Sequence, residues 1–323
     1  MIASETLAGR LGGSLRRGGW TLALYVILAG LIAFTSVLQP RYGLDTLAIA
    51  ALPLALAAAA QAVVVISGGI DLSVGSMMAL TNVTAAVLMK DAGTETAVAV
   101  IVGVLLLGLA IGALNGLLVV TTRVPDIVVT LAMLYIWGGV ALLVLGSPGG
   151  GAPGWVKDLV KGGFVVDALP RALVLLLVII GSVWLPVRRS QLGLSLYAIG
   201  SDRLAAFRSG VAVERTKLAS YALCGLFSAA GGLALTATTG IGTPTVGAYT
   251  LAGVAAIVLG GVSLAGGRGG ILGPIGAAYV LTIIRADLVF LGVDPNYSTM
   301  IQGGIMVLVV MLAAFLTLRR VRR

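Results

Sequence analysis

Apolar residues run along this chain in stretches of about 17 to 25, separated by short polar or glycine-rich intervals, and nowhere alternate strictly with polar ones. Stretches of that length cross a hydrocarbon layer roughly 30 Å thick as helices, and the missing alternation excludes a barrel. Ten segments result, near 20–38, 45–66, 73–89, 97–120, 125–146, 170–187, 218–239, 249–264, 271–291 and 298–318. The pattern predicts an all-α integral membrane protein of about ten transmembrane helices, with at least one broken helix. Residues 1–19 precede the first span, 20–318 read as one transmembrane domain, and 319–323 form a basic tail.

Composition agrees: 59% of the 323 residues are hydrophobic, 10% are charged and the mean hydropathy is +1.10, outside the range of soluble domains. Glycine, at 46 residues, is about twice its usual share. In a membrane that residue lets helices approach closely and marks breaks around cavities. The apolar run after Arg10, Arg16 and Arg17 is long and has no small-residue cleavage site before Gln39-Pro40, so it reads as a retained helix and not a signal peptide.

The net charge of +9 is distributed over the ends of spans, with no basic domain interleaved with aromatics, which argues against nucleic acid. It encodes orientation instead. With the N-terminus inside, fifteen of the 21 basic residues fall on the cytoplasmic side and five outside, namely Arg41, Lys90, Lys157, Lys161 and Arg171, while Arg285 lies within a span. That bias predicts N-in and C-in. The most basic loop, 188–217, carries Arg188, Arg189, Arg203, Arg208, Arg215 and Lys217 against Asp202 and Glu214, and has a helical pattern with a face of small residues.

Candidate chemistry is sparse. No histidine is present, the lone Cys224 in an apolar helix reads as packing, and no Walker motif or Asp-rich cluster occurs, so a membrane transferase is disfavoured and no cofactor or metal is expected on this chain. The segment Ser67-Gly68-Gly69-Ile70-Asp71-Leu72-Ser73-Val74-Gly75 breaks a helix with a carboxylate inside apolar sequence. Asp71 either caps the next helix or takes part in gating or the solute path. Gln61, Asn82 and Asn115 suit either hydrogen bonds between helices or contact with a hydroxylated solute. Arg285 either snorkels to the interface or lines the path; two residues from Asp287 on a helix, it does not face that carboxylate. The loops 147–169 and 294–297 are turn-forming or meet an outside partner, and the glycine-rich run 259–270 reads as a tight turn holding Arg268.

Three blocks carry a resemblance: SGGIDLSVGS at 67–76, GSDRLAAFRSGV at 200–211 and IVLGGVSLAGGRGGILG at 257–273. In this order they are similar to the transmembrane permease of ribose-type and related monosaccharide ABC importers, over about residues 45–315. The resemblance implies an inner-membrane subunit, not itself an enzyme, that pairs with a second copy or a related permease and receives sugar from an extracytoplasmic binding protein. A separate cytoplasmic ATPase, using ATP and Mg, would drive it. It further implies that 188–217 is a coupling loop, with Gly200, Ala205, Ala206 and Gly210 as a docking core and Asp202, Arg203, Arg208 and Ser209 beside it. The alternative is an ion-coupled secondary transporter of a small polar solute, working through Asp71 and Asp287.

Overall fold

The computed structural model describes residues 7–163 and 169–294, and beyond them 296–298, 300, 301, 303, 304, 307 and 311. Among these residues the chain is all-α, without a strand. Seven helices are long and apolar enough to cross a membrane: α1 (Leu7–Leu38, its apolar part from Gly19), α2 (Leu44–Ile66), α4 (Thr94–Thr122), α5 (Asp126–Val144), α7 (Arg171–Arg189), α10 (Val213–Thr239) and α12 (Leu272–Phe290). Two shorter apolar helices, α3 (Val74–Leu88) and α11 (Ala248–Leu259), lie where spans of full length were expected. The remaining helices are α6 (Gly154–Asp158), α8 (Gln191–Ser201) and α9 (Arg203–Arg208). The segment 298–318 falls mostly outside the described residues.

Two expected boundaries move for identifiable reasons. The span 218–239 begins five residues earlier, because Glu214 and Lys217 sit on the first turns of α10 and not in a loop. The span 249–264 ends at Leu259, because Gly260 packs backbone to backbone against Gly273 and Pro274 and Gly261 turns at φ 79°. Val262 N then donates to Ile257 O at 2.9 Å and Gly261 N to Val258 O at 3.0 Å, the paired bonds of a Schellman cap. The same pair ends α2, where Gly69 N reaches Val64 O at 3.0 Å and Gly68 N reaches Val65 O at 2.9 Å.

α2 is the axle of the bundle, with every residue from Ala51 to Ile66 buried. Its alanines are small enough for α10, α12, α11 and α7 to surround it. The tightest seam joins α4 to α10. Gly108, Gly112 and Gly116 recur every four residues on α4 and so form one stripe, against which Tyr221, Gly225 and Ala229 of α10 are laid. A Cβ on Gly112 would overlap the backbone of both Tyr221 and Gly225. In lipid no hydrophobic force drives two apolar helices together, so this approach of backbones provides the dispersion contact that holds them.

Candidate functional site

Between the end of α2 and the start of α3 the chain unwinds for seven residues, Ser67 to Ser73, inside the bundle. Backbone stripped of helical partners must be satisfied locally where no water is available. Three other helices and α2 itself supply the groups. Thr130 of α5 accepts from Leu72 N at 3.1 Å, and the hydroxyls of Thr130 and of Tyr221 on α10 each lie 3.3 Å from Ile70 O. Thr250 of α11 accepts from Gly75 N at 2.9 Å, satisfying a free amide of the first turn of α3. Gln61 of α2 donates to Asp71 O at 2.7 Å, and its own Oε1 accepts from no described group.

Asp71 is fully buried, and its side chain accepts rather than pairs with a cation. Oδ1 takes both Ser73 N at 2.8 Å and Ser73 Oγ at 2.6 Å, and Oδ2 lies 3.6 Å from the Cys224 thiol. The carboxylate thus closes a turn just ahead of α3, while Thr250 meets the helix's own amide. Asn115 of α4 extends the network, donating to Ser73 Oγ at 2.8 Å and accepting from Trp137 Nε1 at 3.1 Å. Asn82 lies apart, donating to Thr236 Oγ1 at 2.8 Å and accepting from Thr243 N at 2.6 Å. Arg285 stands exposed on α12, while Asp287 is buried and accepts from Thr35 Oγ1 at 2.9 Å and Gln39 Nε2 at 3.4 Å. The structure therefore gathers Gln61, Asp71 and Asn115, and leaves Asn82 and Arg285 elsewhere.

A second polar knot borders the break. Asp126, the first residue of α5, accepts from Lys217 Nζ at 2.8 Å through Oδ1 and from Tyr221 OH at 2.8 Å through Oδ2. Sequence reasoning passed over Asp126 and Tyr221 and read Lys217 only as part of the basic loop 188–217. Two signals were present: Asp126 opens an apolar run after Pro125, and Lys217 and Tyr221, four apart, share a helix face.

The loop 188–217 folds into α8 and α9. Asp202 caps α9 by accepting from Leu204 N and Ala205 N, each at 2.9 Å, and Gly210 closes it at φ 83°. Asp202, Arg203, Ala205, Arg208, Ser209 and Gly210 are exposed. Ala206 instead packs inward with Ile199 and Val213, and Gly200 is buried. Leu204 and Phe207, which sequence reasoning passed over, are 58% and 68% exposed and help line a groove of about 580 Å³. Tyr197 donates to Gly269 O at 2.8 Å; burial raises its phenol above the usual range, Arg188 partly opposing, so it stays a donor at neutral pH.

Gly200 joins this exposed helix to the break. Its Cα faces Ile66 O and Gly267 N, which are themselves bonded at 2.9 Å, and a Cβ there would overlap both. Gly266, at φ 85°, completes the contact with Gly68 and Gly200. Two glycine turns and one helical glycine, distant in sequence, meet as bare backbone.

Helices long and apolar enough to cross a membrane surround a broken, hydrogen-bonded core, with a short capped helix exposed beside it, the architecture of a multi-pass membrane protein. The chain belongs to the family described as branched-chain amino acid transport system / permease component, whose model matches residues 43–310. It is 33% identical to ribose import permease protein RbsC of Escherichia coli strain K12 over 306 residues, 88% of this chain and 91% of that protein. Autoinducer 2 import system permease protein LsrD of Salmonella paratyphi A is 32% identical over 315 residues, 91% of each chain. LsrD of Escherichia coli K12 is also 32% identical, over 314 residues, 91% of this chain and 92% of that one. No solved structure gives a significant match. Family and spans together make the chain a permease of the bacterial inner membrane.

Proposed function

We propose that this chain forms the transmembrane path of an ATP-driven ABC importer for a monosaccharide, ribose-like or related, delivered by an extracytoplasmic binding protein. The similarity to import permeases for ribose and autoinducer 2 supports that solute class over ion-coupled transport. The observation that carries the mechanism is the glycine contact by which α9 is rooted, through Gly200, on the end of α2 beside the break.

In this reading both termini are cytoplasmic, two permeases face each other, and α9 with the adjoining groove meets the ATPase, which alone uses ATP and Mg. Leu204 and Phe207 supply the apolar contact; Arg203 and Arg208 supply the charge. Closure of the ATPase pair around ATP displaces α9. Gly200 passes that displacement to Ile66 and Gly68, and so to the turn that holds Asp71. The binding protein then releases sugar into an outward-open path, and hydrolysis returns the path inward. Differential contacts of the two states with ATPase and binding protein supply the bias, so the path need not hold sugar tightly.

Proteoliposomes containing the permease, its ATPase and its binding protein test this. Uptake of labelled ribose or a related pentose is expected only with all three and with ATP inside. Accumulation by the permease alone under an ion gradient would replace this reading with the ion-coupled one.

A further inference from the structure

Between α4, α7 and α10, toward the end of the bundle away from α9, lies a cavity of about 290 Å³. It exists because α7 packs chiefly on α2 and α8 and stands away from α4 and α10. Ile101 and Leu105 of α4, Ile179 of α7 and Phe227 of α10 form its walls. Its two hydroxyls are already occupied: Ser182 Oγ donates to Ile179 O at 3.2 Å and Thr236 Oγ1 to Gly232 O at 3.1 Å. Nothing in it calls for water. Dry apolar cavities of about 150 Å³ take up benzene or xenon, and this one is larger and flanked by helices whose outer faces are apolar and exposed.

The roof of the cavity has a different character. It is made by Val156 and Leu159 of the α6 turn and by Met89 at the end of α3. Next to these in sequence stand Lys157, Lys161 and Lys90, and Arg171 is tied to the same turn by bonds to Asp158 O at 3.1 Å and Gly163 O at 2.9 Å. Four of the five basic residues that the charge pattern assigns to this side of the membrane thus lie in, beside or bonded to the segments that roof one apolar slot, accompanied by Asp91 and Asp158. An apolar cleft between spans, roofed by a turn that carries cations, matches a molecule with an acyl tail and an anionic head.

We propose that the slot binds one acyl chain of a phospholipid whose anionic headgroup sits against Lys157 and Lys161. The inference requires only that these helices span a bilayer, and it stands or falls apart from the transport reading, because its readout is retained lipid and not uptake.

The test is native mass spectrometry of the full-length permease, released from nanodiscs of mixed phosphatidylglycerol and phosphatidylethanolamine. Wild type is expected to retain one phosphatidylglycerol. Leu105→Trp, which fills the slot, is expected to lower retention by about tenfold, as is Ile179→Trp from the opposite wall. Lys157→Gln with Lys161→Gln is expected to keep a lipid but abolish the preference for phosphatidylglycerol. Each variant is first shown to melt as a single species, and Leu105→Met, which preserves volume, is expected to bind as wild type does. Failure of wild type to retain a lipid, or retention by both tryptophan variants equal to that of wild type, would overturn the proposal. If both tryptophan variants misfold, the lysine pair decides alone, and an unchanged headgroup preference in it also overturns the proposal.

Discussion

The amide of Gly267 donates to the carbonyl of Ile66 at 2.9 Å, and the Cα of Gly200 lies against both. The last turn of a buried helix is thereby held to the base of an exposed one with no side chain between them. Motion of one cannot be absorbed by rotamer changes before it reaches the other.

Gly200→Ala forces these backbones apart, an overpacking worth about 1 to 3 kcal/mol. The expected outcome is a lower melting temperature and, in the reconstituted importer, more ATP hydrolysed per sugar taken up. An unchanged ratio in a destabilised protein would reduce Gly200 to a packing residue.

Phe207 is exposed and rests on little of its own chain, so Phe207→Ala is expected to leave the stability within about 0.5 kcal/mol of wild type. Co-purification with the ATPase is expected to weaken by roughly tenfold or more, the loss typical of an aromatic anchor. Asp202 behaves differently, because it is the cap of α9. Asp202→Ala costs about 1 kcal/mol of helix stability while Asp202→Ser retains most of it, and ATPase binding should follow the same order.

At the break, Asp71→Ala leaves Ser73 N and Ser73 Oγ short of an acceptor, each buried group costing about 1 to 3 kcal/mol. Asp71→Asn keeps an oxygen for both and is expected to fold nearly as well. Uptake separates the remaining roles: an Asn variant that folds but transports slowly assigns the carboxylate's charge to gating, and normal uptake assigns Asp71 to architecture.

Asp126 and Lys217 are mostly buried, with 16% and 12% of their side chains exposed. Lys217→Met is expected to cost about 3 kcal/mol by stranding the carboxylate, partly offset by Tyr221. Adding Asp126→Asn to that variant should recover much of the loss in a melting experiment. A double variant as unstable as the sum of the single ones would show that the two side chains do not interact.

Much of the helix order was legible because the bilayer imposes it: Leu44–Ile66 and Val74–Leu88 fall almost on the expected 45–66 and 73–89, with the Ser67-Gly68-Gly69 stop between them. Length was less legible, since α11 stops where Gly260 meets Gly273, a contact made across a turn. The small-residue face of loop 188–217 was also visible, yet its polarity was not, because Ala206 turns inward while Phe207 turns out.

By itself the order of residues determined the membrane class, much of the helix order, the break at Gly68 and the family. These depend on local hydrophobicity and on glycine's access to positive φ, both of which act within a few residues. Only the tertiary structure decided that Asp126 meets Lys217 from 91 positions away, that Thr250 satisfies Gly75, and that Gly200 touches Ile66. In a low-dielectric interior each polar group must find a partner, but which partner it finds is set by how the helices stack.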